Sequence, residues 1–280
     1  MRLAHRTVRG AGRMLMKRSE RERLERIQYG DAGRGYDVFG MHRDWLPLGL
    51  GLLDPLYRAY FRVRSYGTEH IPANGGAIMI ANHAGTLPID AAMLCADVVR
   101  HTDPPRLPRC VADYFVSELP FAGATLSRMG VVAGTPGNVR RLLENGQLCL
   151  VFPEGLPAIG KPFRERYELR EFRVGFAELA LRLRVPVVPV GIIGSEEQWP
   201  QLGRVTQLRA FGLPYLPIVA TPLPLPVRYH IHYGPALDLR SHAPDGRVTS
   251  EAIAAATRTA RDAVARLLER GLAMRRGVFR

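Results

Sequence analysis

From Ile71 onward the chain alternates short apolar runs with helix-forming stretches, and this alternation constrains the fold more than any other feature. The runs at 77–81 (AIMIA), 147–152 and 185–193 are short and almost wholly apolar, the pattern of strands buried on both faces. Further strands are expected at 109–113 and 131–132. At 226–233, Val227, Tyr229, Ile231 and Tyr233 alternate with Arg228, His230 and His232, so that strand carries one apolar face and one face read as solvent-exposed. Helices are expected at 88–99, 119–129, 138–144, 173–183 and 250–272. Pro88 suits a first helical turn, and Ser250 or Thr249 suits the last N-cap. Strands alternating with helices imply an α/β fold: a single domain with a mostly parallel central sheet flanked by helices and an N-terminal helical segment.

Three regions are expected. Residues 1–36 are polar, basic and rich in Gly and Arg, and read as a poorly ordered arm with a short helix near 15–27. Residues 37–65 read as an amphipathic helical segment. Gly49, Gly51 and Pro55 oppose one long helix there, so a pair of short helices is expected, lying on a membrane interface or packed on the domain. Residues 66–280 form the main domain, and 280 residues are enough for one large α/β unit. Within it, 211–226 carries five prolines among large apolar residues. That excludes a helix or a central strand and leaves a core cap or an apolar surface offered to lipid or an acyl chain.

Basic residues number 39 against 26 acidic ones, a formal charge of +13. Only Lys17 and Lys161 are lysines, so the charge is almost all arginine, which suits bidentate phosphate contacts. Such an excess fits an anionic membrane surface or an anionic substrate. It also fits nucleic acid, but no recognition motif accompanies the arginine-rich N-terminus. Cys95, Cys110 and Cys149 lack metal-site spacing and read as core residues, which argues for a reducing compartment. No signal-peptide apolar region and no membrane-length apolar run is present.

Two fragments carry chemistry at the ends of buried strands, where parallel sheets place their sites. Asn82-His83-Ala84-Gly85-Thr86-Leu87-Pro88-Ile89-Asp90 follows the run AIMIA and opens a helix. A histidine there can take a proton from a hydroxyl near neutral pH, and an acid downstream can fix its tautomer. Asp90 falls in the first helical turn, where the helix dipole favours its ionised form. Phe152-Pro153-Glu154-Gly155 ends a second strand, with a glycine for a sharp turn and close ligand approach. The strand Val185-Pro186-Val187-Val188-Pro189-Val190 is structural.

Together these blocks resemble the glycerolipid acyltransferase family that includes lysophosphatidate acyltransferase, over roughly residues 66–239. The matching segments read NHAGTLPID, MGVVAGTPGNVRR, VFPEG and VPVVPV. The resemblance implies fatty acyl transfer from a thioester, acyl-CoA or acyl carrier protein, to a hydroxyl of a glycerolipid-like acceptor. His83 is then the general base, oriented by Asp90. Glu154 and Gly155 organise the site or hold the acceptor, and Lys161, Arg164 and Arg166 are candidate phosphate contacts. Backbone N–H groups near Gly85 or Gly155 are candidate oxyanion donors. The resemblance further implies no metal or redox cofactor; residues 44–61, 211–226 and the arginine excess point to a peripheral position on the cytoplasmic face of a membrane. His230 and His232 lack a third ligand nearby in sequence, Cys149 reads as core, and Glu196-Glu197 reads as a surface loop.

Departures from the family pattern point to a divergent subgroup. The acid stands two positions later than usual, with Pro88 at the usual place. Leu156-Pro157-Ala158 replaces the usual Thr and Arg after FPEG, and the second block lacks its usual arginine, with Arg140 and Arg141 as rough stand-ins. These changes favour a neutral or unusual acceptor. They also raise the alternative of a lipid-binding scaffold that keeps the fold without turnover.

Overall fold

The computed structural model describes the chain except for residues 1, 85–86, 115, 117–118, 120 and 206–215. In chain order its elements are α1 (Arg2–Leu15), α2 (Arg18–Glu25), α3 (Trp45–Pro55), β1 (Arg64–Tyr66), β2 (Ala77–Ala81), α4 (Ile89–His101), β3 (Arg109–Ala112), α5 (Ala122–Arg128), β4 (Val132–Ala133), α6 (Pro136–Glu144), β5 (Leu148–Val151), α7 (Leu156–Ile159), α8 (Gly175–Leu183), β6 (Val187–Ile193), β7 (Gln201–Val205), β8 (Leu216–Val219), β9 (His230–Tyr233) and α9 (Ser250–Met274). Seven strands form one sheet in the order β1-β9-β6-β2-β5-β3-β4. Every pairing is parallel except β9 against β6. The fold is α/β, as the alternation of strands and helices implies.

Every residue of β2 and β6 is buried, which is why their sequences are unbroken apolar runs. Each strand still divides its side chains between two cores. Met79, Val188 and Val190 pack with Met93 and Leu94 of α4 and Leu46 and Leu50 of α3. Ile78, Ile80 and Val187 pack with Val139 of α6, Phe176 of α8 and Val264 of α9. Each such side chain contributes about 1.5–3 kcal/mol by leaving water, so the two central strands anchor the whole assembly.

The N-terminus differs from the expected arm. Residues 2–15 and 18–25 are helical, and Met16, Leu24 and Ile27 are buried in the first core. Arg, Leu, Met and Glu are good helix formers, and the charges are accommodated outside: Arg18 pairs with Glu22 at 2.7 Å, and Glu20 with Arg58 at 2.9 Å. Polar composition records only the outer face of such a helix. The expected pair of short helices in 37–65 is instead α3 running into a π-helical turn at Leu56–Tyr60, and β1 already begins at Arg64.

A buried carboxylate ties this region to the sheet. Asp97 of α4 accepts hydrogen bonds from Tyr57, Ser65 and Tyr233, the last at 2.7 Å. Burial opposes its charge, yet hydrogen bonds from His101, Ser65, Tyr57 and Tyr233 outweigh that and hold its pKa below the ordinary carboxylate value.

The polar face of β9 is not solvent-exposed. His230 and His232 are buried, His232 stacks on Tyr66 at 4.6 Å, and a Cβ on Gly271 of α9 would come within 2.8 Å of the His232 ring. Period-two alternation distinguishes two faces, but helices cover both faces of this sheet. Burial, with the neighbouring His230 and Arg270 charges, pushes His232 down to about 4. Of the proline-rich segment, 211–215 lies outside the described residues. Leu216–Val219 pairs only with β7, in a hairpin apart from the main sheet. No helix among the described residues is long and apolar enough to cross a membrane.

Candidate active site

The site begins where β2 leaves the sheet. Asn82 staples the end of β2 to β6: its Oδ1 accepts from the Ile192 N–H at 2.8 Å, and its Nδ2 donates to the Ile192 carbonyl at 3.0 Å. The next residue, His83, donates its backbone N–H to Glu154 Oε1 at 3.2 Å, which ties it to the turn after β5. The C-terminal ends of β2, β5 and β6 therefore converge on the adjacent pair Asn82–His83, at the edge where parallel sheets build sites.

Asp90, the second residue of α4, has no exposed side-chain surface. Its Oδ2 lies 2.8 Å from His83 Nδ1 and accepts from the Ala84 N–H at 2.9 Å, while Oδ1 accepts from the Ala91 N–H at 2.8 Å. The widened spacing thus still folds the acid back onto the ring. An ionised carboxylate only accepts, so Nδ1 carries the hydrogen and Nε2 keeps its lone pair. Phe152 stacks on the ring at 4.3 Å and limits its rotation. Burial works against a charged ring, but the charge and hydrogen bond of Asp90, with Glu154 and Glu196 farther off, prevail and hold the His83 pKa above its ordinary value.

The FPEG turn is clamped from the other side. Glu154 is buried, and its Oε2 accepts from the Arg170 N–H at 2.7 Å. Both its oxygens therefore accept from backbone N–H groups, those of His83 and Arg170. The Arg173 N–H donates to the Pro153 carbonyl at 2.9 Å. These two bonds register residues 170–173 against the turn and lay the Arg173 guanidinium on Gly155. Gly155 has φ +61°, a backbone that favours glycine, and a Cβ there would lie 2.7 Å from Arg173 Cζ and displace the end of that side chain. Its N–H already donates to the Phe152 carbonyl at 3.1 Å, which corrects the expectation of an oxyanion donor at that position. Gly85 lies outside the described residues.

His83 lines a cavity of about 1360 Å³. Its lining includes the apolar residues Leu46, Leu50 and Leu53 of α3, Ala91 and Cys95 of α4, and Leu107. The lining also includes Arg140, Arg173, Arg182, Arg184 and Arg240.

Among the expected phosphate contacts the geometry separates Lys161, Arg164 and Arg166 from this cavity, since none of them lines it. Lys161 is buried, pairs with Glu196 at 2.7 Å and donates to the Glu168 carbonyl at 2.9 Å. Arg164 is exposed beside Glu165, and Arg166 lies over the Phe163 ring, 3.8 Å from Glu197. Glu196 and Glu197 are not a surface loop. Glu196 joins Lys161 to Asn82 Nδ2 (3.3 Å), and Glu197 pairs with Arg275. A salt bridge thus supports the His83 turn from behind. Cys149 is a core thiol, pushed up to about 12 by burial. Arg173 was not legible in the sequence, because no local pattern distinguishes it among many arginines; it reaches the site through the pairing of two loops.

Residues 62–193 match the Acyltransferase family. An uncharacterized protein of Mycobacterium tuberculosis is 39% identical over 81% of this chain, and the chain spans 66% of that protein's length. A bovine protein described as a DGAT1/2-independent enzyme synthesizing storage lipids is 27% identical over 73% of this chain and 58% of its own length. In fold, the chain is similar to the crystal structure of the 1-acyl-sn-glycerophosphate (LPA) acyltransferase PlsC from Thermotoga maritima. That likeness has a TM-score of 0.57 and 19% identity, and covers 84% of this chain and 82% of the other. Residues 62–193, which contain His83, Asp90 and the FPEG turn, belong to the Acyltransferase family.

Proposed function

We propose that the protein transfers a fatty acyl group from an acyl thioester to the hydroxyl of a neutral glycerolipid. The observation that carries this reading is the His83–Asp90 contact of 2.8 Å, with His83 lining a large, mostly apolar cavity. Asp90 holds Nδ1, so His83 Nε2 accepts the hydroxyl proton as the oxygen attacks the thioester carbonyl carbon. The tetrahedral intermediate collapses with cleavage of the C–S bond, and the imidazolium returns the proton to the leaving thiolate. The products are an ester and a free thiol. General-base assistance of this kind supplies about 10²–10⁴-fold.

Two observations favour a neutral acceptor. The turn after FPEG carries Leu156-Pro157-Ala158 in place of polar phosphate ligands. The mammalian relatives are described as enzymes synthesizing storage lipids. The acceptor's tails and the acyl chain are apolar, as are the walls formed by α3 and α4. Leu52 and Leu56 of the α3 region and Leu87, four residues after His83, are exposed. With the net charge of +13, they support peripheral contact with an anionic membrane, from which such a substrate is drawn.

The test is incorporation of radiolabel from palmitoyl-CoA into diacylglycerol, monoacylglycerol and lysophosphatidate by the purified protein. Label in the acylated neutral lipids is the expected result. Absence of transfer to every acceptor would overturn the reading, and transfer to lysophosphatidate alone would overturn the choice of acceptor.

A further inference from the structure

We infer that the buried Lys161–Glu196 ion pair is a positioning element of the acyl-transfer site: by holding the Asn82 side chain it fixes where the His83 main chain leaves β2. This rests on the acyl-transfer reading and gives a role in it to two residues outside the NH…D and FPEG blocks.

Asp90 orients the His83 ring, but the main chain at 82–83 sets where that ring stands. This main chain has two ties. Glu154 takes the His83 N–H at 3.2 Å, and the Asn82 amide binds the Ile192 N–H and carbonyl at 2.8 and 3.0 Å. Asn82 is fully buried, and the remaining hydrogen of its amide goes to Glu196 Oε1 at 3.3 Å. Glu196 Oε2 accepts from the Tyr167 N–H at 2.9 Å and lies 2.7 Å from Lys161 Nζ. The ammonium also donates to the Glu168 carbonyl at 2.9 Å. The Lys161 and Glu196 side chains are 3% and 4% exposed, so the whole chain of contacts is shielded from water.

Stability alone does not account for this pair. Two charges taken out of water lose much of what they gain from each other, and neutral residues of similar volume often hold a fold as well. A carboxylate offers something else here: two acceptor oxygens, one for Asn82 and one for Tyr167. Tyr167 marks the same point in the backbone. Its φ is 65°, a left-handed conformation uncommon for an aromatic residue, and it is held at both ends, with its N–H on Glu196 and its hydroxyl accepting from the Gly194 N–H at 2.8 Å. Three and six residues later, the Arg170 and Arg173 N–H groups bind Glu154 and the Pro153 carbonyl. One segment, 161–173, therefore braces both strand ends that carry the site. The choice of lysine is itself unusual, since it is one of two among 39 basic residues. Burial pushes the Glu196 carboxyl above its ordinary value against the pull of the Lys161 charge, so without the ammonium the charge would be lost. That charge joins those of Asp90 and Glu154 in favouring the protonated His83 ring, which the reaction forms transiently.

The double variant Lys161→Met/Glu196→Gln tests this, because it replaces the pair with neutral side chains of similar size and leaves no buried charge unpaired. Glutamine presents one oxygen and one NH2, so either the Asn82 amide or the Tyr167 N–H loses its acceptor. A cooperative urea transition is expected. In transfer from palmitoyl-CoA, kcat should fall about 10–100-fold, the scale of a small misplacement of the base, with KM within about twofold of wild type. The His83 ring, followed by NMR in protein carrying 13C-labelled histidine, should titrate at lower pH than in wild type. Glu196→Asp is the second variant. It keeps the charge, which the flexible lysine can follow, but is one methylene too short to hold Asn82, and kcat should fall by a similar factor. As a control, Arg275→Met/Glu197→Gln removes the neighbouring pair, joined at 2.7 Å, and should leave kcat and the His83 titration unchanged. Wild-type kcat in either folded Glu196 variant would overturn the assignment. An equal loss in the control would overturn it too, by making the effect a general one of buried pairs. A wild type that transfers no acyl group refutes the acyl-transfer reading. The His83 titration then decides the positioning role: a shift in the double variant alone upholds it, and no shift refutes it.

Discussion

Replacing Asp90 with asparagine changes one atom and removes the charge that faces the His83 ring. In the wild type, Oδ2 serves both His83 Nδ1 and the Ala84 N–H, and Oδ1 serves the Ala91 N–H. An asparagine oxygen fills only one of these positions. If it replaces Oδ2, the amide NH2 confronts the Ala91 N–H. If it replaces Oδ1, the NH2 points at His83 Nδ1, which must then accept, and Nε2 carries the hydrogen and cannot act as a base. The first orientation leaves a buried donor unsatisfied, at about 1–3 kcal/mol of stability. The second removes general-base assistance, about 10²–10⁴ in kcat or roughly 3–5 kcal/mol of barrier. The asparagine also lacks the charge that raises the His83 pKa, so the rising limb of any residual pH–rate profile should move toward acid. Initial rates of label transfer from pH 5 to 9, beside a urea melt of each protein, separate these effects. A folded Asp90→Asn protein within threefold of wild-type kcat, with the limb unmoved, would refute the orienting role.

Gly155→Ala should lose activity and about 1–3 kcal/mol of stability, because it forces a side chain onto a positive φ and displaces the Arg173 guanidinium; a wild-type melting curve would contradict this. His232 is depressed to about 4, so the folded state prefers it neutral. Its contribution, at most about 3 kcal/mol, is complete above its unfolded pKa near 6.5 and is lost as pH falls toward 4. Urea midpoints from pH 4 to 8 should therefore slope less steeply in His232→Gln than in wild type, and parallel curves would contradict the assignment. In flotation the protein should rise with anionic liposomes, less so in high salt; recovery in the soluble fraction on every vesicle would exclude the proposed membrane contact.

Much of this was legible in the sequence because the central strands are buried on both faces and leave no ambiguity of period. The motif residues at their ends were legible for the same reason: His83 and Glu154 follow directly from β2 and β5, and Asp90 is seven residues from its partner. What the sequence concealed depends on distant segments. His230 and His232 are buried because α9 crosses their face. Lys161 meets Glu196 across two loops, and Arg173 reaches Gly155 because residues 170–173 return along the FPEG turn. The N-terminal helices were obscured by their composition, since an arginine-rich outer face hides the few apolar residues, Met16, Leu24 and Ile27, that dock them.

The most direct measurement is the single-turnover rate of acyl transfer from palmitoyl-CoA to a neutral glycerolipid by wild type and His83→Ala, with matched folding checked by circular dichroism. Removal of the base predicts a rate lower by about 10²–10⁴ in a protein that still binds acyl-CoA. A folded His83→Ala enzyme that transfers at the wild-type rate would contradict the account.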